Sequence, residues 1–271
     1  MVNGQSAQAS RTVSALAAVV TVLFAAGVRS DVKEPSELQR RTGEYVRQFN
    51  LSLANLVGQE DMQVRDRKVT SDILLVRYPG SLTDLLFYRD VRSVNGTDRP
   101  DHPEHLLDMF QKNFDSAIGR ANQISTDGAE YVPPILNPLF AIAFLQPHYQ
   151  ARFKIDERGA DLQWPRRTKV LAFQETTKPT ILRAGMMREF DVLTRGSAWV
   201  EESTGRVLQT ELQIRHADGV TTIKTTFKMD DRLQVMVPAS MQTTKPEGRA
   251  TYSNFRRFIV EIDEAIESGF R

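Results

Sequence analysis

From Tyr149 to Ile262 apolar and polar residues alternate with a period of two, and turn signals cut the alternation into strand-length pieces. Leu208, Thr210, Leu212 and Ile214 fall on one face, with Gln209, Glu211, Gln213 and Arg215 on the other. Asp218-Gly219 turns the chain, and Ile223, Thr225 and Phe227 continue the pattern. Strands are expected at 151–155, 169–174, 180–183, 197–201, 206–215, 220–229, 233–241 and 248–262, joined by short turns as a meander. Such a pattern fits an antiparallel sheet with one buried and one wet face.

Two more strands are expected earlier. Ser71 to Tyr78 closes at Pro79-Gly80, and Leu85 to Val94 ends at Asn95-Gly96, a dipeptide that tolerates the positive φ of a tight turn. Ahead of them, Ser36 with Gln39 has the spacing of a capping box. Leu38, Thr42, Tyr45, Phe49, Leu53, Leu56 and Val57 then recur at helical spacing, predicting a helix to about Gly58 with one apolar face. Pro103 is expected to open a second helix whose Leu106, Leu107, Phe110, Phe114 and Ile118 share a face.

The segment 131–147 is the least ordinary. Four prolines, at 133, 134, 138 and 147, punctuate an apolar run that contains Leu136, Leu139, Phe140, Ile142, Phe144 and Leu145. Residues 137–145 have the pattern of two helical turns, apolar nearly all round, which must be buried or meet an apolar partner. Two readings stay open: permanent core, or a jointed lid over a ligand cavity, with those six residues as its lining.

The N-terminus predicts export. The first thirty residues hold Arg11 and Arg29 but no Asp, Glu or Lys, and Val13 to Val28 is uncharged. That is the form of a secretory signal, with cleavage expected between Gly27 and Ser30. The uncharged run falls short of the roughly 20 residues that span a bilayer, so no stable transmembrane anchor is expected after cleavage. Cysteine is absent, which excludes disulfides, thiolate metal sites and a cysteine nucleophile. Without residues 1–30 the chain keeps 33 basic residues against 34 acidic ones, counted from the sequence. Nucleic acid, which is bound by a basic excess, is therefore not an expected partner. The remainder, 31–271, is expected to be one domain with a helical insert at about 98–148.

Catalytic signals are weak. Asp101-His102-Pro103-Glu104-His105 gathers imidazoles and carboxylates, but its spacing does not put both rings on one helix face, and a solvated helix start accounts for it better. His148 and His216 stand beside turns, where a general base has little shelter. Arg77, Arg89, Arg92, Asp72 and Asp90 are expected to pair across strands on the wet face. Met186, Met187, Met229, Met236 and Met241 suit either core or an adaptable apolar pocket. No metal, no cofactor and no enzymatic activity is expected.

The hairpin Gly196-Ser197-Ala198-Trp199-Val200-Glu201-Glu202-Ser203-Thr204-Gly205-Arg206-Val207-Leu208, and the order of helix, early strands, helical insert and meander, resemble the outer-membrane lipoprotein carrier and sorting-protein fold. Residues 249–258 are similar to the closing strand of uncharacterised exported bacterial proteins of that group. The resemblance spans about residues 36–263, and the insert at 98–148 departs from it. It implies an α+β fold: a large curved antiparallel β-sheet, a half-open barrel built as a meander, covered by an N-terminal helix and inserted apolar helices. It also implies a periplasmic or extracellular protein that binds a lipid or lipoprotein acyl chain in an apolar cavity, without covalent chemistry. The alternative within the same fold is an interaction or sensor module with an envelope protein as partner.

Overall fold

The computed structural model describes residues 34–258 apart from 80, 82, 100–105, 113, 161–163, 165–166, 185–189 and 217–218. The chain divides into two compact units, Met1–Glu34 and Pro35–Arg271, and the signal segment expected at 1–30 lies outside the described residues.

Helix α1 (Glu37–Ser52) starts where the capping box puts it. The Ser36 hydroxyl accepts from the Gln39 amide at 3.2 Å, and the Gln39 side chain accepts from the Ser36 amide at 2.9 Å. Strands β1 (Leu56–Val64), β2 (Arg67–Arg77), β3 (Leu85–Val94) and the short β4 (Thr97–Asp98) follow as hairpins. Asn95 and Gly96 both have positive φ, 52° and 79°, as the tight turn between β3 and β4 requires. The insert holds α2 (Leu106–Lys112), α3 (Phe114–Gly128), α4 (Phe140–Ala143) and α5 (Pro147–Gln150). Then come β5 (Phe153–Ala160), β6 (Thr168–Glu175), a two-residue pair β7 (Arg183–Ala184) and β8 (Phe190–Asp191), and the meander β9 (Thr194–Glu201), β10 (Val207–His216), β11 (Gly219–Asp230), β12 (Val235–Thr244) and β13 (Glu247–Arg257).

Eleven strands form one antiparallel sheet in the order β4-β3-β2-β1-β13-β12-β11-β10-β9-β6-β5. The joint between early and late strands is β1 with β13, from Leu56 opposite Arg257 to Val64 opposite Gly248. Because β4 and β5 end the order, the sheet is open and not a closed barrel.

Period-two alternation sends neighbouring residues to opposite faces. Leu56, Met62, Ile73 and Leu75 join α1 and residues 132–145 in the main core, on what we term the inner face. Val57, Leu74, Val76 and Tyr88 point the other way and pack with Leu106, Phe110, Ala117, Ala121 and Ile124 of α2 and α3. The N-terminal helix and the two insert helices therefore cover opposite faces. Asp90 fixes the start of α2, its carboxylate accepting from the Leu106 amide at 3.3 Å. Most of the rest of the outer face is polar, with Val170 and Trp199 standing opposite each other on β6 and β9.

The apolar inserted helices expected from the sequence are not found. Helices α2 and α3 are amphipathic, and residues 137–145 form turns with one four-residue helix, α4. The Asn137 side chain accepts from the Leu139 amide at 2.9 Å, and the Phe140 amide closes a three-residue step onto the Asn137 carbonyl, so the chain enters α4 through a tight turn. The Leu145 and Gln146 amides close three-residue steps onto Ile142 and Ala143, and Pro147 lacks the amide needed to continue.

Candidate functional site

Residues 131–150 run across the inner face beside α1, which itself rests on β10 and β12. Leu136, Leu139, Ile142, Phe144 and Leu145 are buried in the main core, with Phe140 half-buried at its edge. Phe144 stacks on Phe153 with ring centres 5.2 Å apart and meets Phe173 edge-on at 6.2 Å. Complete burial of such a side chain is worth about 1.5–3 kcal/mol. At the start of the segment, the Arg99 and Arg67 guanidinium carbons sit 4.8 and 5.8 Å from the centre of the Tyr131 ring. At its end, the Gln150 amide donates to the Leu145 and Gln39 carbonyls at 2.8 and 3.1 Å.

Beneath the segment lies a charged pair. Arg89 on β3 donates to both carboxylate oxygens of Glu60 on β1, at 2.5 and 2.9 Å, and to the Leu136 carbonyl at 2.8 Å. Their side chains are 5% and 0% exposed, so the pair is dry. Burial opposes the arginine charge, but Glu60 outweighs it and leaves the Arg89 pKa above its ordinary value. Tyr252 on β13 stands opposite Glu60, and burial first, then the Glu60 charge, push its phenol well above the ordinary range. The Ser71 hydroxyl, opposite Glu60 on β2, is buried with no hydrogen-bond partner among the described residues. Arg89 had been expected on the wet face; the strand phase overrules that, since Leu85 and Val91 share its side and are buried in the main core. A charge in line with apolar positions on β3 was the signal in the sequence for an inner-face Arg89.

Among the described residues, one hydrogen bond joins residues 131–145 to the sheet, that from Arg89 to Leu136. Apart from the two guanidinium groups over Tyr131, the segment is otherwise held by apolar packing. No group of three or more His, Asp or Glu side chains placed to hold a metal occurs among the described residues. His102 and His105 lie outside them, as do Met186 and Met187. His148 is exposed against Tyr149, while Met236 and Met241 are core. Of the ions expected to pair across strands on the wet face, Arg92 does bridge Asp72 at 3.9 Å, whereas Asp90, 3.4 Å from Arg92 on the same strand, is buried at the start of α2. No described helix is long and apolar enough to cross a membrane.

No family model and no curated protein matches the chain. Two solved structures are similar to it. One is a domain assigned to outer membrane lipoprotein sorting from Vibrio parahaemolyticus, 11% identical, covering 83% of this chain and 94% of its own, with a TM-score of 0.39. The other is a DUF1329 family protein from Desulfovibrio piger, 8% identical, covering 80% and 94%, with a TM-score of 0.35. Backbone likeness at this level carries no function over.

Proposed function

We propose that this chain is an exported binding protein of the cell envelope that takes up a lipid, or the acyl part of a lipoprotein, against the inner face of its sheet. The open sheet serves as the half-open barrel, and residues 135–145 are its removable cover. The observation behind this is the way the inner face is filled. A proline-jointed segment, tied to the sheet by one hydrogen bond among the described residues, occupies it in place of a strand or a long helix.

Magnitudes narrow the ligand. Uncovering Leu136, Leu139, Ile142, Phe144 and Leu145 costs about 7–15 kcal/mol at roughly 1.5–3 kcal/mol per side chain. One acyl chain of a dozen methylenes returns about 10 kcal/mol at roughly 0.8 kcal/mol each. A single chain breaks even and two chains win, so the proposed cargo is diacyl or larger. Binding is burial alone, with no covalent step.

Native mass spectrometry of the chain purified from an exporting bacterial host, followed by lipid extraction, tests this. The expected result is a discrete added mass that extracts as a lipid with two or more acyl chains, and exchanges with added diacyl lipid more readily than with a fatty acid. A clean apo mass, with no uptake of a fluorescent diacyl lipid, overturns it. The inner face is already packed by the protein's own residues, which favours a second reading as a non-enzymatic envelope interaction or sensor module. That reading expects the apo mass together with a co-purifying envelope protein.

A further inference from the structure

The outer face carries a feature that acyl binding does not use. One register row crosses eight strands there. Asp156, Ala172 and Ser197, on β5, β6 and β9, lead to Glu211 on β10. Lys224, Gln242, Arg249 and Gln63, on β11, β12, β13 and β1, continue it. Two depressions lie along the row, of about 400 and 600 Å³, and Glu211 lines both. With strands about 4.8 Å apart, the row is about 33 Å long.

The charge in this groove is lopsided. Lys154, Arg158, Arg195, Arg65, Lys224 and Arg249 line the two depressions, against Asp156, Glu211 and Glu247. The whole chain has a formal net charge of only +1. Lys154 is satisfied by Asp156 at 3.5 Å, and Arg195 donates to Gln213 at 2.8 Å. Among the described residues Arg65, Arg158, Lys224 and Arg249 have no ion-pair partner, although Glu211 stands directly opposite Lys224. Between the charges stand neutral amides and hydroxyls, among them Gln63, Gln242, Thr222 and Thr244.

We propose that this groove binds an acidic linear polysaccharide, a uronate-bearing glycan laid across the strands. Its sugars repeat at close to the inter-strand distance of about 4.8 Å, so successive units meet successive strands. Its carboxylates match the unpaired cations, and its hydroxyls match the amides and hydroxyls between them. Single-stranded nucleic acid fits less well, because it is held by base stacking on aromatic side chains, and Phe173 is the one aromatic residue lining either depression. Phe173 belongs to the inner core. The site is independent of the acyl reading and stands on the opposite face.

Affinity electrophoresis of the full chain in native gels containing alginate, with neutral dextran as control, tests the proposal. Retardation by alginate and not by dextran is expected, weakening as salt rises. The double variant Lys224→Glu/Arg249→Glu changes two exposed side chains, and circular dichroism checks that it keeps the fold. It should bind alginate at least tenfold more weakly. Three results each overturn the proposal: no retardation by alginate, retardation that survives the double variant in a folded protein, or equal binding to single-stranded DNA or phosphatidylglycerol vesicles.

Discussion

Glu60 and Arg89 form an ion pair almost without access to water, which obliges the fold to satisfy both at once. Removing one partner of such a pair strands a charge and costs about 3–5 kcal/mol, whereas replacing both by apolar residues of similar size is often neutral. Glu60→Gln should therefore lower unfolding free energy by about 3–5 kcal/mol in a urea titration. Glu60→Leu/Arg89→Met should cost less than the single change. A single change costing under about 1 kcal/mol, the worth of an exposed pair, would show that water reaches the site. The phase of β3 made Arg89 readable as an inner residue, because Leu85, Phe87 and Val91 share its side. Its partner was not readable, since β1 lies next to β3 only through β2, and no local pattern gives register across two hairpins.

The β9–β10 hairpin shows how one turn can seat a helix. Gly205 has φ of +72°, and a Cβ built there would lie 2.6 Å from the Arg41 backbone carbon in α1. Arg41 in turn donates to the carbonyls of Glu202 and Ser203 in that turn, at 2.9 and 3.2 Å. Gly205→Ala combines left-handed strain with a backbone clash and should cost at least about 1–3 kcal/mol in a thermal or urea melt. Gly119→Ala, in α3 with open space around it, should instead stabilise by about 0.5–1 kcal/mol. Equal effects at the two sites would mean that the turn does not press on α1. Elements with a local cause were legible. The capping box set α1, Asn95-Gly96 set the β3–β4 turn, and strict alternation set β10 and β11. The apolar pattern of 137–145 suits two helical turns, but three-residue steps at both ends leave the four-residue α4, and Pro147 stops it. The small β7–β8 pair depends on tertiary contacts, such as the Asp191 carboxylate accepting from Thr180 at 2.7 Å, which no periodicity announces.

At the scale of the molecule, the sheet and its cover are held by different forces. β10 to β13 and β1 form continuous ladders, each central strand bonded on both sides. Residues 131–145 have one hydrogen bond to that sheet among the described residues and depend on side-chain burial. Regions with few tertiary backbone bonds open at lower free energy than the ladders they rest on, as one cooperative unit. Native-state hydrogen exchange should therefore find the amides of Ala143, Leu145 and Gln146, which bond to carbonyls of their own segment, exchanging together and faster than those of β11 and β12. If acyl chains displace the cover, added diacyl lipid should speed those amides further and leave β11 and β12 unchanged. Exchange of the segment at the same rate as β11, with or without lipid, would mean that it leaves the sheet only on global unfolding. Uptake against the inner face would then have no route, because the space that a chain needs is already taken by Leu139, Ile142 and Phe144.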